Sequence, residues 1–204
     1  MSTTSDAPRA PGRRETEAQA TRDALIDAAV ELFAERGYAE VGTEEIVARA
    51  KVTRGALYHH FADKRDLFRA SFERVESGLM ERVGAKMGGA SDPWELMVTG
   101  MRAFLDACAE PAVKRIVLTD APSVLGWPEW RELDNRYGLG LTRVALQGAV
   151  DAGVLRPIAV EPISHLLVAA LSEAAFLIAH AEHPRKARAE VEGALIQLLE
   201  GLRA

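Results

Sequence analysis

The run TEEIVARAKVTRGALYHHFADKRDL, residues 43–67, decides how this chain folds. Thr43 stands before a helical pattern as an N-cap, its hydroxyl able to accept from an orphan backbone N–H, and Glu44 and Glu45 occupy the first turn, where the helix dipole favours negative charge. Ile46, Val47 and Ala50 follow at helical spacing, with Ala48 small enough to admit a second helix. Lys51 and Val52 interrupt the run. Thr53 caps again, and a second helix over about residues 54–60 presents Arg54, Gly55, Tyr58 and His59 outward while Ala56, Leu57 and Phe61 turn inward. Two short helices joined by a turn of three to four residues form a helix-turn-helix, whose second member enters the major groove. Asp63 opens a third, longer helix, with Asp66 three residues on in a near capping box. Lys64 and the N–H groups of that terminus stand where a phosphate can bind.

The pattern Thr43-x4-Ala48-x-Ala50-x-Val52-Thr53-x-Gly55-x-Leu57-Tyr58-x-His60-Phe61-x2-Lys64-x2-Leu67 resembles the DNA-binding signature of the TetR family of one-component transcriptional regulators. The resemblance implies an all-α homodimer with an N-terminal DNA-binding domain and a C-terminal domain that binds a small effector and dimerises. It also implies that His60 turns inward while His59 faces DNA. One residue departs from the pattern. Many members carry Gly where this chain has Lys51; if the turn needs φ > 0, Lys costs about 1 kcal/mol there and can add a phosphate contact in return.

A chain of 204 residues with 48% hydrophobic content can bury a sizeable core, and the class is soluble globular. The net charge of −5, taken alone, argues against a general nucleic-acid binder. Its distribution points the other way: residues 49–69 carry Arg49, Lys51, Arg54, Lys64, Arg65 and Arg69 against Asp63 and Asp66, a local +4. A single cysteine excludes an intrachain disulfide. With no apolar signal region and no apolar run near ~18–20 residues, a cytoplasmic protein that meets no membrane is expected.

Residues 1–14 form an N-terminal arm. Up to about Gly12 it is rich in Ser, Thr, Pro and Ala, with too little to bury, and is expected to be disordered. Arg9, Arg13 and Arg14 make it mildly basic, either a solvated tail or an arm along a minor groove. Over residues 17–36, Leu25, Ala28, Ala29, Leu32 and Phe33 recur at i, i+3, i+4, i+7, i+8, an amphipathic helix that Gly37 ends. Residues 15–62 therefore make the reading domain and 63–204 the effector and dimerisation domain, with 63–84 the connecting helix. Gly84, Gly88 and Gly89 close that helix, and Asp92-Pro93 starts the next. Further helices are expected at about 93–109, 112–119, 128–151, 162–182 and 185–202. No strand pattern competes, so the fold is all-α.

The helix at 162–182 is apolar nearly all round and must be buried twice. Ile163, Leu166, Leu167, Ala170, Leu171, Ala174, Leu177 and Ile178 suit the monomer core; Val168, Ala169, Ala175 and Ala179 suit the close approach of a partner helix. Val191, Ala194, Leu195, Leu198, Leu199 and Leu202 repeat the theme in the last helix, so that a two-fold axis yields a four-helix interface. A reader of two half-sites ~34–36 Å apart needs that symmetry.

For the effector, aromatic side chains are the natural cavity lining: Phe104, Trp127, Trp130, Tyr137 and Phe176, with Cys108 beside them, are the ligand-binding candidates, although any single aromatic also fits plain core. Few charges fall among them, so an apolar or aromatic, weakly charged effector is expected. Gly138, Gly140 and Gly148 each cost about 1 kcal/mol in a helix, which a kink, close packing or a ligand must repay. Cys108 reads as a buried inert thiol or, less simply, a redox sensor; His180 and His183 read as surface residues rather than a metal pair.

The DNA-contacting set is Thr43, Thr53, Arg54, Gly55, Tyr58, His59 and Lys64: Thr43, Tyr58 and Lys64 on phosphates, Arg54, Gly55 and His59 at base edges. Together these residues point to a repressor that occupies palindromic double-stranded DNA as a homodimer and leaves it when a small molecule binds. No cofactor or metal is called for. An enzyme is disfavoured, because no metal-type Glu-x-x-His pair, nucleophile elbow or phosphate-binding Gly-rich loop appears. An interaction protein that keeps the fold without reading DNA is the remaining alternative.

Overall fold

The computed structural model describes residues 12–204, which fold into helices with no strand longer than one isolated bridge among the described residues. The N-terminal arm, including Arg9, lies outside the described residues except for its last three positions. Arg13 and Arg14 are not arm: they open α1 (Arg13–Arg36), where Glu15 accepts from the Gly12 N–H at 2.8 Å. A carboxylate reaching back to the cap satisfies a donor that the helix itself leaves open. α1 buries Leu25, Ile26, Ala28, Ala29, Leu32 and Phe33, and it ends where Gly37, at φ 83°, donates to the Phe33 carbonyl at 2.8 Å.

α2 (Thr43–Ala50) and α3 (Arg54–His60) form the helix-turn-helix, and α4 (Lys64–Met87) is the long helix that follows. Gly84 does not stop α4; the backbone remains helical to Met87, three residues past the expected end. Beyond lie α5 (Pro93–Ala107), a π-helix (Val113–Asp120), the single turn α6 (Ala121–Val124), α7 (Trp127–Asp151), α8 (Val160–Ala179) and α9 (Pro184–Glu200). Asp92 caps α5 by accepting from the Glu95 N–H at 2.9 Å. The segment expected to be α-helical at 112–119 is wound more widely, with Thr119 Oγ1 donating five residues back to the Lys114 carbonyl at 2.8 Å.

One apolar cluster runs without a break from α1 through Ile46, Leu57 and Phe61 into Leu67, Phe68 and Phe72 of α4, then on to Ile116 and Trp130. Phe33 meets Phe68 edge-on at a centroid distance of 5.3 Å. Three helices of which two are short bury too little alone to be stable, and α4 supplies what they lack. α5, α7, α8 and α9 pack together beside α4 around two further clusters, one on Leu105 and Ile178, the other on Leu146 and Ala149.

α8 corrects two expectations. It is 20 residues long and apolar enough, by length and composition, to cross a membrane, whereas no such run was expected. One face packs into the protomer, with Val168, Ala175 and Ile178 buried, and the other carries Glu161, His165 and Glu173 exposed. The two faces are also shared out differently. Val168, Ala175 and Ala179, expected at a partner helix, are inside the protomer, while Leu166 and Leu177, expected in the core, are 65% and 54% exposed. On α9, Leu195 and Leu199 are buried and Leu198 is 59% exposed. Leucine alone does not tell inner from outer stripe when both are apolar.

Candidate nucleic-acid interface and effector cavity

Thr43 is not the cap of α2. Gly42 takes that place, and its N–H donates to Glu45 at 3.1 Å, so Thr43 is the first helical residue. Glu45 is held below the usual carboxylate range by that backbone bond and by Arg36. The turn closes through Lys51, whose φ of 57° and ψ of 38° are left-handed, with the Val52 N–H donating to the Val47 carbonyl at 3.1 Å. Position 51 is thus the one among the described residues where a non-glycine side chain accepts φ > 0. Thr53 caps α3 as expected, accepting from the Ala56 N–H at 3.2 Å. Leu57 and Phe61 pack inward, and Arg54, Gly55, Tyr58 and His59 stand exposed. His60 is half-buried, and burial, with help from His59, holds its imidazole below the usual range. Arg54 lies over the Tyr58 ring at 5.6 Å and pairs with Glu44 at 3.3 Å. Both partners of that pair are exposed, so freeing Arg54 from Glu44 costs no more than about 1 kcal/mol.

The local charge is less free than its count. Arg65 donates to the Val124 and Leu125 carbonyls at 3.1 and 2.9 Å and pairs with Glu129, while Arg69 Nε lies 3.2 Å from the same Glu129. These two cations fasten α4 to α7 and do not serve the DNA face. Lys64 also turns inward: its ammonium donates to the Tyr38 carbonyl and sits 4.1 Å from the centre of the Tyr38 ring. As a first-turn phosphate ligand Lys64 is already engaged, with burial lowering its affinity for a proton. Lys51, exposed at the tip of the turn, is the better placed cation.

Tyr38 links the two halves of the molecule. Its N–H donates to Asp120 Oδ2 at 2.7 Å, and Arg115 of the π-helix donates to the Arg36 carbonyl at 3.2 Å. Gly37 favours glycine because its φ of 83° is left-handed, and its missing Cβ lets the Arg115 guanidinium lie directly against the backbone. The end of α1 and the π-helix are thereby clamped to one another through a backbone donor and a backbone acceptor.

A cavity of about 110 Å³ lies between α4, α5, α7, α8 and α9. α4 contributes Glu76, Met80, Val83 and Met87, one stripe at helical spacing. α5 adds Met97, Met101 and Phe104; α7 adds Asp134, Gly138, Leu141 and Thr142; and Val168, Leu171 and Ser172 of α8 close the far wall. Gly138 lies beside Val168, where a Cβ would stand 3.4 Å from the nearest methyl, an ordinary contact.

Of the six sequence-based candidates for this lining only Phe104 reaches it. Trp130 is buried elsewhere, its indole N–H donating to the Val117 carbonyl at 3.3 Å and its ring 5.4 Å from Phe176. Trp127 is 60% exposed at the start of α7. Tyr137 and Phe176 are half-buried away from the cavity, and Cys108 donates to the Phe104 carbonyl at 3.2 Å behind it. Burial pushes that thiol up to about 12, so it keeps its proton. The aromatic rings satisfy one another, and the space they leave is bounded by thioethers. All four methionines among the described residues line the cavity, and a residue that fills irregular gaps was the signal to follow.

Glu76 and Asp134 were not anticipated. Asp134 accepts from Ser172 at 2.9 Å and pairs with Arg131 at 3.0 Å. Burial raises its pKa, and the Ser172 bond and Arg131 pull it back. Glu76 is 4% exposed, and burial with the nearby charge of Asp134 pushes it up to about 8.

A half-exposed recognition helix on a two-helix unit, braced by a long third helix against an apolar cavity, defines a helix-turn-helix regulator rather than an enzyme. Residues 25–71 match the bacterial regulatory proteins, tetR family, and residues 94–202 match the tetracyclin repressor-like, C-terminal domain. The chain belongs to the TetR family and is a DNA-binding transcriptional regulator. It is 45% identical over 108 residues to the HTH-type transcriptional repressor BepR of Brucella suis, covering 52% of this chain and 52% of BepR. The chain thus spans about half the length of that relative. A TetR-family transcriptional regulator from Pectobacterium atrosepticum superposes with a TM-score of 0.84 at 35% identity, covering 95% of this chain and 98% of the other. RolR in complex with resorcinol superposes with a TM-score of 0.72 at 18% identity, covering 90% of this chain and 89% of the other, a likeness of fold alone.

Proposed function

We propose that the chain is a cytoplasmic repressor that binds a palindromic operator as a homodimer and is released by a small apolar or aromatic effector. The observation that carries this reading is the cavity, which touches α4, the same helix that braces the recognition unit. Residues 15–62 act as the reader and 63–204 as the effector and dimerisation half. The exposed leucines of α8 and α9 supply the dimer surface, and BepR, a named repressor, supports the sign of regulation. RolR, a protein of this fold in complex with resorcinol, supports a small aromatic ligand. Thr53, Arg54, Gly55, Tyr58 and His59 face the duplex, with Thr43 and Lys51 at its backbone; Lys64 has an N–H to spare for a phosphate beyond its bond to Tyr38.

Release follows if the effector prefers a state in which α4 and the π-helix hold the two readers at a spacing the operator does not match. A gel shift on duplex from upstream of the chain's own coding region, at two salt concentrations, tests the reading. Binding should weaken steeply with salt. Apolar aromatic compounds should abolish the shift, and a screen in which only highly charged metabolites do so would contradict it.

A further inference from the structure

The cavity contains one carboxyl to which nothing among the described residues donates. Glu76 is almost wholly buried and its carboxyl opens on the cavity, yet no group among the described residues donates to it. The donors near it are spent: Ser172 Oγ is 2.9 Å from both Asp134 and the Val168 carbonyl, and Thr142 Oγ1 donates to the Gly138 carbonyl at 3.0 Å. Asp134, the other acid in the lining, has Arg131 as counter-ion. No Lys, Arg or His lines the cavity among the described residues. The remaining walls are apolar, four of the lining residues being methionines whose polarisable sulfurs adapt to a ring or a cation.

A buried polar group without a partner is destabilising, and such groups persist where something else completes them. An anionic ligand would face two acids and no base. A neutral hydrocarbon would fill the walls and leave Glu76 as it is.

We propose that the cavity takes a small organic amine, a monocation with an apolar body of about one ring, whose ammonium group rests against the Glu76 carboxylate. This rests on the effector role assigned to the cavity above and adds the charge that the ligand must carry. The cavity, at about 110 Å³, limits the apolar body to about one ring. Because burial and Asp134 push Glu76 up to about 8, the empty site favours the neutral acid. An arriving ammonium exchanges that proton for itself: the carboxyl O–H breaks, the proton leaves to water and the ion pair remains.

Calorimetry and thermal shift on the full chain with benzylamine, benzyl alcohol and benzoate, three molecules of similar shape and different charge, test this. Benzylamine should bind at least tenfold more tightly than benzyl alcohol, and benzoate should not bind. Glu76→Gln should lose at least tenfold in benzylamine affinity and keep its affinity for benzyl alcohol, which shows that the variant is folded and its cavity open. Asp134→Asn should reduce benzylamine binding less than Glu76→Gln does. If benzyl alcohol binds as well as benzylamine, or the Glu76→Gln variant binds both as the parent does, the amine assignment is overturned and the effector cavity stands. If none of the three binds, the cavity is not an effector site and both readings fall.

Discussion

At the scale of single residues the left-handed Lys51 is the plainest case of a local cost carried for position. Its φ of 57° is a conformation glycine adopts freely and lysine does not. Lys51→Gly should raise stability in urea by up to about 1 kcal/mol and lower the salt dependence of DNA binding by about one phosphate contact; a variant no more stable than its parent would show that the turn is not strained. Arg54→Ala should cost ~1–3 kcal/mol in operator affinity and relax preference at one base pair per half-site, where Lys51→Ala weakens all sequences alike. If both substitutions shift affinity uniformly, Arg54 does not read a base. Glu76 sets a pH dependence. An unfolded glutamate titrates near 4.5, and the buried one is pushed up to about 8, so the native state binds the proton more tightly. Its stability is fully present below about 4.5 and is lost as pH rises through about 8. Relative to the parent, Glu76→Gln should therefore gain a few kcal/mol by pH 9 and little at pH 4, at about 1.4 kcal/mol per tenfold change in ionisation constant; equal melting temperatures at both pH values would show that the carboxyl is solvated.

Among elements, the reading unit was legible and the cavity was not, and the physical reason is the same in both. α2, α3 and the start of α4 are specified locally, by Thr53 as a cap, Asp63 as a cap accepting from the Asp66 N–H at 2.8 Å, and Leu57 and Phe61 on one face. A cap needs only its own next turn. The cavity depends on where five helices converge, so Met80 of α4 and Met101 of α5 become neighbours only after packing, and nothing near Trp130 in sequence says that its ring will be spent on Phe176. The same holds for Lys64, whose bond to Tyr38 spans 26 residues, and for Arg65, whose partners lie about 60 residues on. The winding of the π-helix was also illegible, since its residues fit an α-helix equally well. Its role is testable: Asp120 holds the Tyr38 N–H, so Asp120→Ala should leave effector affinity within about twofold while the effector's weakening of DNA binding, typically 1–3 kcal/mol, shrinks by half or more. An unchanged coupling would mean that the signal does not pass through this contact.

On the scale of the whole molecule, the exposed apolar side chains are unevenly placed. Leu166 and Leu177 on α8 and Leu198 on α9 leave an apolar face open to solvent, on the two helices whose doubled apolar stripes suit a dimer interface. Only a pair of readers fits two half-sites one helical turn apart, so the account stands on that pairing. A charge in the face should break it: Leu198→Glu should yield a folded monomer whose operator affinity falls by at least tenfold. The most direct measurement is sedimentation equilibrium of the parent chain with its operator duplex at low and moderate salt. Two protomers should bind each duplex, and the complex should loosen steeply as salt rises. A single protomer per duplex, or no association in dilute buffer, would contradict the account.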